Sequence, residues 1–159
     1  MVKTKLDITQ ERTTFKPFKY PWAYDAWLQH EQSHWLHTEV PMSEDVKDYK
    51  KLSKQEQEFL TKILRFFVQG DLDIGSGYHD HYIPVFKQPE VRMMMSGFAG
   101  REALHVAAYA HLIETLGLPE STYNEFLQYK EMVEKHDYIN NLNAAPMAEK
   151  IAAISAFGE

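Results

Sequence analysis

The stretch Phe98-Ala-Gly-Arg-Glu102-Ala-Leu-His105-Val-Ala-Ala-Tyr109 sets an acid, an imidazole and a phenol at helical spacing inside an otherwise largely apolar run. Pro89 suits the first turn of a helix, and only Gly97 and Gly100 interrupt the pattern before Gly117 and Pro119 end it. Such a helix is roughly 40 Å long and crosses a whole domain. A 3.6-residue period lines up Val91, Met95, Phe98, Glu102, His105, Tyr109 and Leu112 on one face. A row of large apolar side chains belongs against a core. There an ionised glutamate costs several kcal/mol unless it is paired, hydrogen-bonded or bound to a cation. Glu102 therefore requires a partner, and its i, i+3 relation to His105 brings carboxylate and imidazole within reach of one metal ion.

Upstream, Ser53 and Glu56 form a capping box that opens a second helix running past Asp71, its far end weakened by Gly70, Gly75 and Gly77. Leu60, Leu64, Phe67 and Asp71 share one face, so a second apolar row also closes on an acid. Pro17 and Pro21 lead into a first helix from about Trp22 to Trp35, and Leu36 to Tyr49 reads as a connection. Thr122 with Glu125 opens a fourth helix to about His136, and a fifth runs from about Met147 to Phe157. The pattern predicts an all-α protein: residues 1–21 form an extended N-terminal arm, and residues 22–159 form the helices of a single domain.

Composition narrows the function. The 159 residues carry a net charge of -6, with no basic stripe of the kind that neutralises nucleic-acid phosphates. No stretch approaches the roughly 18 consecutive apolar residues of a membrane span, and the expected location is the cytoplasm. Zero cysteines exclude disulfides and thiolate ligands. A metal must then be held by carboxylate and imidazole, which points to iron or manganese before structural zinc. Tyr109, one turn beyond His105 and walled by Phe98 and Leu112, is placed to lose an electron and a proton to an oxidised metal pair.

The Glu102 to Tyr109 run resembles the small subunit of class I ribonucleotide reductases, in which Glu-x-x-His supplies two metal ligands and the tyrosine four residues later holds a stable radical. Asp71, after Arg65-Phe66-Phe67-Val68, falls where that family places its first carboxylate ligand. Trp35, in Glu31-Gln-Ser-His-Trp35, matches the tryptophan that relays the electron hole toward the large subunit. The resemblance extends from about Trp27 to Leu116. It implies a ferritin-like helical bundle whose di-metal site activates dioxygen, oxidises Tyr109 and supplies a radical to the large subunit for deoxyribonucleotide synthesis. Di-iron, mixed manganese/iron and di-manganese centres all suit such ligands. The ending Ala156-Phe-Gly-Glu159 resembles the start of the family helix that carries the third carboxylate, making Glu159 a further candidate ligand. The second Glu-x-x-His of the family pattern would lie downstream of Glu159. The expectation is thus an incomplete, N-terminal half-domain of a split or divided protein, completed by a polypeptide carrying the C-terminal half and assembled as a homodimer with a large-subunit partner.

Other readings stay open. Buried acids are often only capped or ion-paired, and a lone Glu-x-x-His occurs by chance. Glu31 and His34 form another such pair, although Trp22, Ala26 and Gln29 give them no clean apolar row. His79-Asp80-His81 reads as a polar helix end, and Glu134 and His136 as a solvated face. A different di-iron oxidase or oxygenase needs the same ligands without the aromatic partners. In a metal-free interaction module, Glu102 and His105 would pair with each other or with Arg101 or Lys62.

Overall fold

The computed structural model describes residues 7–158 and is helical wherever it is regular. Seven α-helices follow in order: α1 (Pro21–Gln32), α2 (Ser43–Lys51), α3 (Lys54–Gly77), α4 (Pro89–Thr115), α5 (Ser121–Asn124), α6 (Lys130–Asn140) and α7 (Met147–Phe157). Pro21 and Pro89 occupy the first turns of α1 and α4, where the missing amide costs nothing. At Ser53 the capping box is complete. Its hydroxyl accepts from the Glu56 amide at 3.3 Å, and the Glu56 carboxylate accepts from the Ser53 amide at 2.8 Å. Gly117, at φ 73°, ends α4 in a Schellman motif whose Leu118 amide donates to the Ile113 carbonyl at 3.1 Å.

Helix α4 is the spine, packed against α3 on one side and α1 on the other. The bridge from α3 is a wide π-turn, Tyr78–Tyr82, so α3 and α4 run antiparallel. Their registers meet turn by turn: Tyr78 lies against Phe98, Gly75 against Glu102, Asp71 against His105, and Phe67 against Tyr109. Along α1 the chain runs parallel to α4, with Trp27 against Gly97 and His30 against Arg101. The core gathers at the end where α3 finishes and α4 begins, around Tyr78, Tyr82, Phe86, Val91, Met95, Leu142 and Ala153. Before α1 the chain, from Asp7 to Tyr20, forms no helix and is tied to α4 by Glu90. That fully buried carboxylate pairs with the Arg12 guanidinium and accepts from the amides of Lys19 and Tyr20.

Several local expectations are corrected. The first helix stops at Gln32, leaving Trp35 beyond its end. The segment after Trp35 is not merely a connection but contains α2, whose acidic first turn and basic last turn complement the helix dipole. Its Glu44–Lys47 and Asp48–Lys51 pairs sit at 2.7 Å. Despite its three glycines, α3 runs unbroken through Gly77. The helix expected from Thr122 to His136 is broken into α5, a 3-10 turn (Glu125–Gln128) and α6. Arg65 explains the break: its Nε donates to the Thr122 carbonyl at 3.0 Å, and its Nη2 binds the Glu125 carboxylate. That carbonyl is the acceptor a continuing α-helix would give to the Phe126 amide. His81 is buried, not a polar helix end, with Nδ1 2.9 Å from Asn143 Oδ1. Glu134 is exposed as expected, whereas His136 is half-buried, with its Nδ1 2.7 Å from buried Asp73.

Candidate metal centre

One turn above the core, the α3–α4 seam turns polar. Asp71 on α3 and Glu102 and His105 on α4 offer ligand atoms that all lie within 4.8 Å of one another. His105 Nδ1 stands 3.3 Å from Glu102 Oε2 and 3.8 Å from Asp71 Oδ2. Glu102 is 2% exposed. Two carboxylates converging on one imidazole in a site this dry repel each other unless a proton or a cation lies between them. The set contains no thiolate and suits a hard or borderline divalent ion such as iron or manganese. It is the sole cluster of this kind among the described residues.

The close approach of the two helices depends on Gly75, one turn beyond Asp71. A Cβ placed there would stand 3.3 Å from Glu102 Cβ, tighter than ordinary van der Waals contact. Sequence reasoning treated Gly75 as a weakness; its signal was the i+4 spacing from Asp71 along the row that faces α4.

The aromatic residues flank the site on two sides. Trp35 lies over His105, with ring centroids 6.3 Å apart and planes inclined by 25°. Tyr109 stacks on Phe67 at 5.3 Å and 8°. Phe67, rather than Phe98, therefore walls the phenol: the Phe98 ring lies instead 4.9 Å from His30 and 6.3 Å from Tyr78. Glu31 and His34 lie on the exposed side of α1 and beyond its end, apart from the cluster. Lys62 pairs with Glu58 at 2.8 Å and Arg101 binds the end of α1, so neither serves the metal-free pairing envisaged for them. Glu159 lies outside the described residues. Gly158, just before it, sits so close to the Tyr78 hydroxyl that a Cβ there would be 2.9 Å away.

An antiparallel helix pair that aims two carboxylates and a histidine at one point, with a phenol one turn along, places the chain among ferritin-like helical folds with a candidate metal site. The chain belongs to the ribonucleotide reductase small chain family, whose model matches residues 12–159. It is 53% identical over 139 residues to a probable ribonucleoside-diphosphate reductase small subunit of Invertebrate iridescent virus 6, covering 87% of this chain and 39% of that relative. Against the corresponding protein of Invertebrate iridescent virus 3 it is 51% identical over 138 residues, covering 86% of this chain and 36% of the relative. The chain thus spans about two fifths of the length of these relatives. Its fold matches a dimanganese(II) NrdF of Streptococcus sanguinis with a TM-score of 0.79 at 18% identity, over 93% of this chain and 53% of that one.

Proposed function

We propose that this chain is the N-terminal part of the radical-generating small subunit of a ribonucleotide reductase, contributing Asp71, Glu102 and His105 to a di-metal centre and Tyr109 as the radical residue. The observation that carries the reading is the convergence of these three ligands one turn from Tyr109, with Trp35 stacked on the ligand imidazole. A different di-metal oxidase needs the ligands but neither aromatic partner. A bound metal pair, most simply di-iron, supplies a one-electron oxidant drawn from dioxygen. Tyr109 gives up one electron and its phenolic proton and becomes a neutral radical. When an electron and a proton return to the Tyr109 oxygen, the electron comes by way of Trp35 from a thiol on a large subunit, which loses one electron and one proton and becomes a thiyl radical. The viral relatives' names favour ribonucleoside diphosphates as the substrates of that large subunit.

The remaining ligands, in this reading, reside in the C-terminal part of the small subunit, with Glu159 as the third carboxylate. Two features support a further layer of protein over this one. Phe59 on α3 and Leu127 are 63% and 61% exposed, and the row that leads to Asp71 is half open at Leu60 and Phe67. A covering layer of protein would bury these side chains, removing apolar surface from water. The completed subunit is expected to be a homodimer in the cytoplasm.

The test is electron paramagnetic resonance after anaerobic ferrous loading and exposure to air, in the presence of a polypeptide carrying the C-terminal part. A tyrosyl radical that disappears in Tyr109→Phe, with iron uptake unchanged, is expected. A radical that survives in that variant removes Tyr109 from the mechanism.

A further inference from the structure

Arg101 precedes the ligand Glu102 in the middle of α4, yet its guanidinium reaches across to another helix. Nη2 donates to the His30 carbonyl at 2.9 Å, Nη1 donates to the Ser33 carbonyl at 3.2 Å, and Nε donates to His30 Nε2 at 3.4 Å. These carbonyls belong to the C-terminal end of α1. That end has no left-handed glycine cap: Ser33 closes it at φ -89°, with a single backbone bond back to His30. Helix C-termini leave carbonyls without intrahelical donors and carry partial negative charge, so a forked cation there satisfies both needs.

Trp35 follows two residues later. Its ring is half-buried and stacked on the imidazole of His105, and it lines an open cleft of about 400 Å³ together with His30, Ser33, Phe98 and Arg101. Arg101 and His105 are four residues apart on α4, one turn of the same helix. The guanidinium thus ties the end of the helix that leads to Trp35 to the same rigid element that carries Glu102 and His105. From this geometry we infer that Arg101 is a positioning residue for the electron relay, holding Trp35 in register over His105. The importance of that register for the relay rests on the proposed function; the positioning itself rests only on the structure.

The two parts are tested separately. The chain has three tryptophans, and replacing Trp22 and Trp27 by phenylalanine leaves Trp35 as the single indole. In that background, with far-ultraviolet circular dichroism as the check on folding, Arg101→Met and the milder Arg101→Gln should each raise acrylamide quenching of Trp35 severalfold and shift its emission to the red. Arg101→Lys keeps the charge but not the fork, and should restore only part of the protection. Unchanged quenching and emission in the folded Met or Gln variant overturns the inference.

The relay is read in the complete reductase. Arg101→Gln should form the Tyr109 radical in normal yield but lose it at least about tenfold more slowly when large subunit and a mechanism-based inhibitor are added, since misplacement by about 1 Å can cost about a hundredfold. Trp35→Phe gives the limit of a broken relay. Normal decay in Arg101→Gln, with Trp35 displaced, overturns its part in the relay. Absence of any radical in the unsubstituted protein overturns the proposed function instead, and the fluorescence measurement still decides whether Arg101 positions Trp35.

Discussion

Removing the Glu90 carboxylate should detach the N-terminal arm and cost a large part of the domain's stability. Glu90 is 0% exposed and the Arg12 side chain 9%, so both charges are out of water and depend on each other. Glu90 Oε1 also accepts from the amides of Lys19 at 2.8 Å and Tyr20 at 2.9 Å, which fixes the chain just before α1. Breaking one side of a buried pair costs about 3–5 kcal/mol, against a total stability of about 5–15 kcal/mol for a typical domain. Glu90→Ala should lose about that much. Glu90→Gln keeps an acceptor for the two amides but not the charge, and should lose about 2 kcal/mol. Burial pushes the Glu90 carboxyl up, but the backbone amides of Glu90, Tyr20 and Lys19 and the charge of Arg12 outweigh it and hold it below the ordinary glutamate value. A carboxylate whose folded pKa is depressed contributes fully above its unfolded pKa and loses that contribution as pH falls through the folded value. Urea unfolding followed by circular dichroism at about pH 7 and about pH 3 should therefore show the gap between wild type and Glu90→Gln narrowing in acid. A loss under about 0.5 kcal/mol for Glu90→Ala at neutral pH, the size of an ordinary surface change, would refute the anchoring role.

Gly75→Ala should leave stability nearly unchanged, because about 1 kcal/mol of helix propensity opposes the crowding of Glu102; iron affinity should fall, measured by anaerobic titration. Asp73→Ala removes the acceptor shared by Gln69, His136 and Asn140, and should cost about 1–3 kcal/mol in urea unfolding while loosening α6 from α3. Hydrogen exchange should report that loosening as faster exchange across Lys130–Asn140 than across α4.

The period of α4 made the shared inward face of Glu102 and His105 legible in the sequence, because an acid in a core row requires a partner. Asp71 was legible for the same reason on α3. What the sequence did not disclose depends on register between helices. Phe67 meets Tyr109, and Gly75 meets Glu102, only because the π-turn and loop set the antiparallel pairing of α3 and α4. The break after Asn124 is likewise imposed from a distance, by Arg65 taking the carbonyl of Thr122, 57 residues away in the chain. Helix α2 was a different failure: its i, i+3 charge pairs were present in the sequence, but Pro41 and Ser43 drew the reading toward a loop.

The proposed metal site is open to a direct measurement. Anaerobic titration of this chain with manganous ion, followed by loss of the sharp resonance of the hydrated ion, should show saturable binding that is abolished in Glu102→Ala and in His105→Ala and weakened in Asp71→Asn. Equal uptake by the unsubstituted chain and both alanine variants would contradict the assignment of Asp71, Glu102 and His105 as ligands.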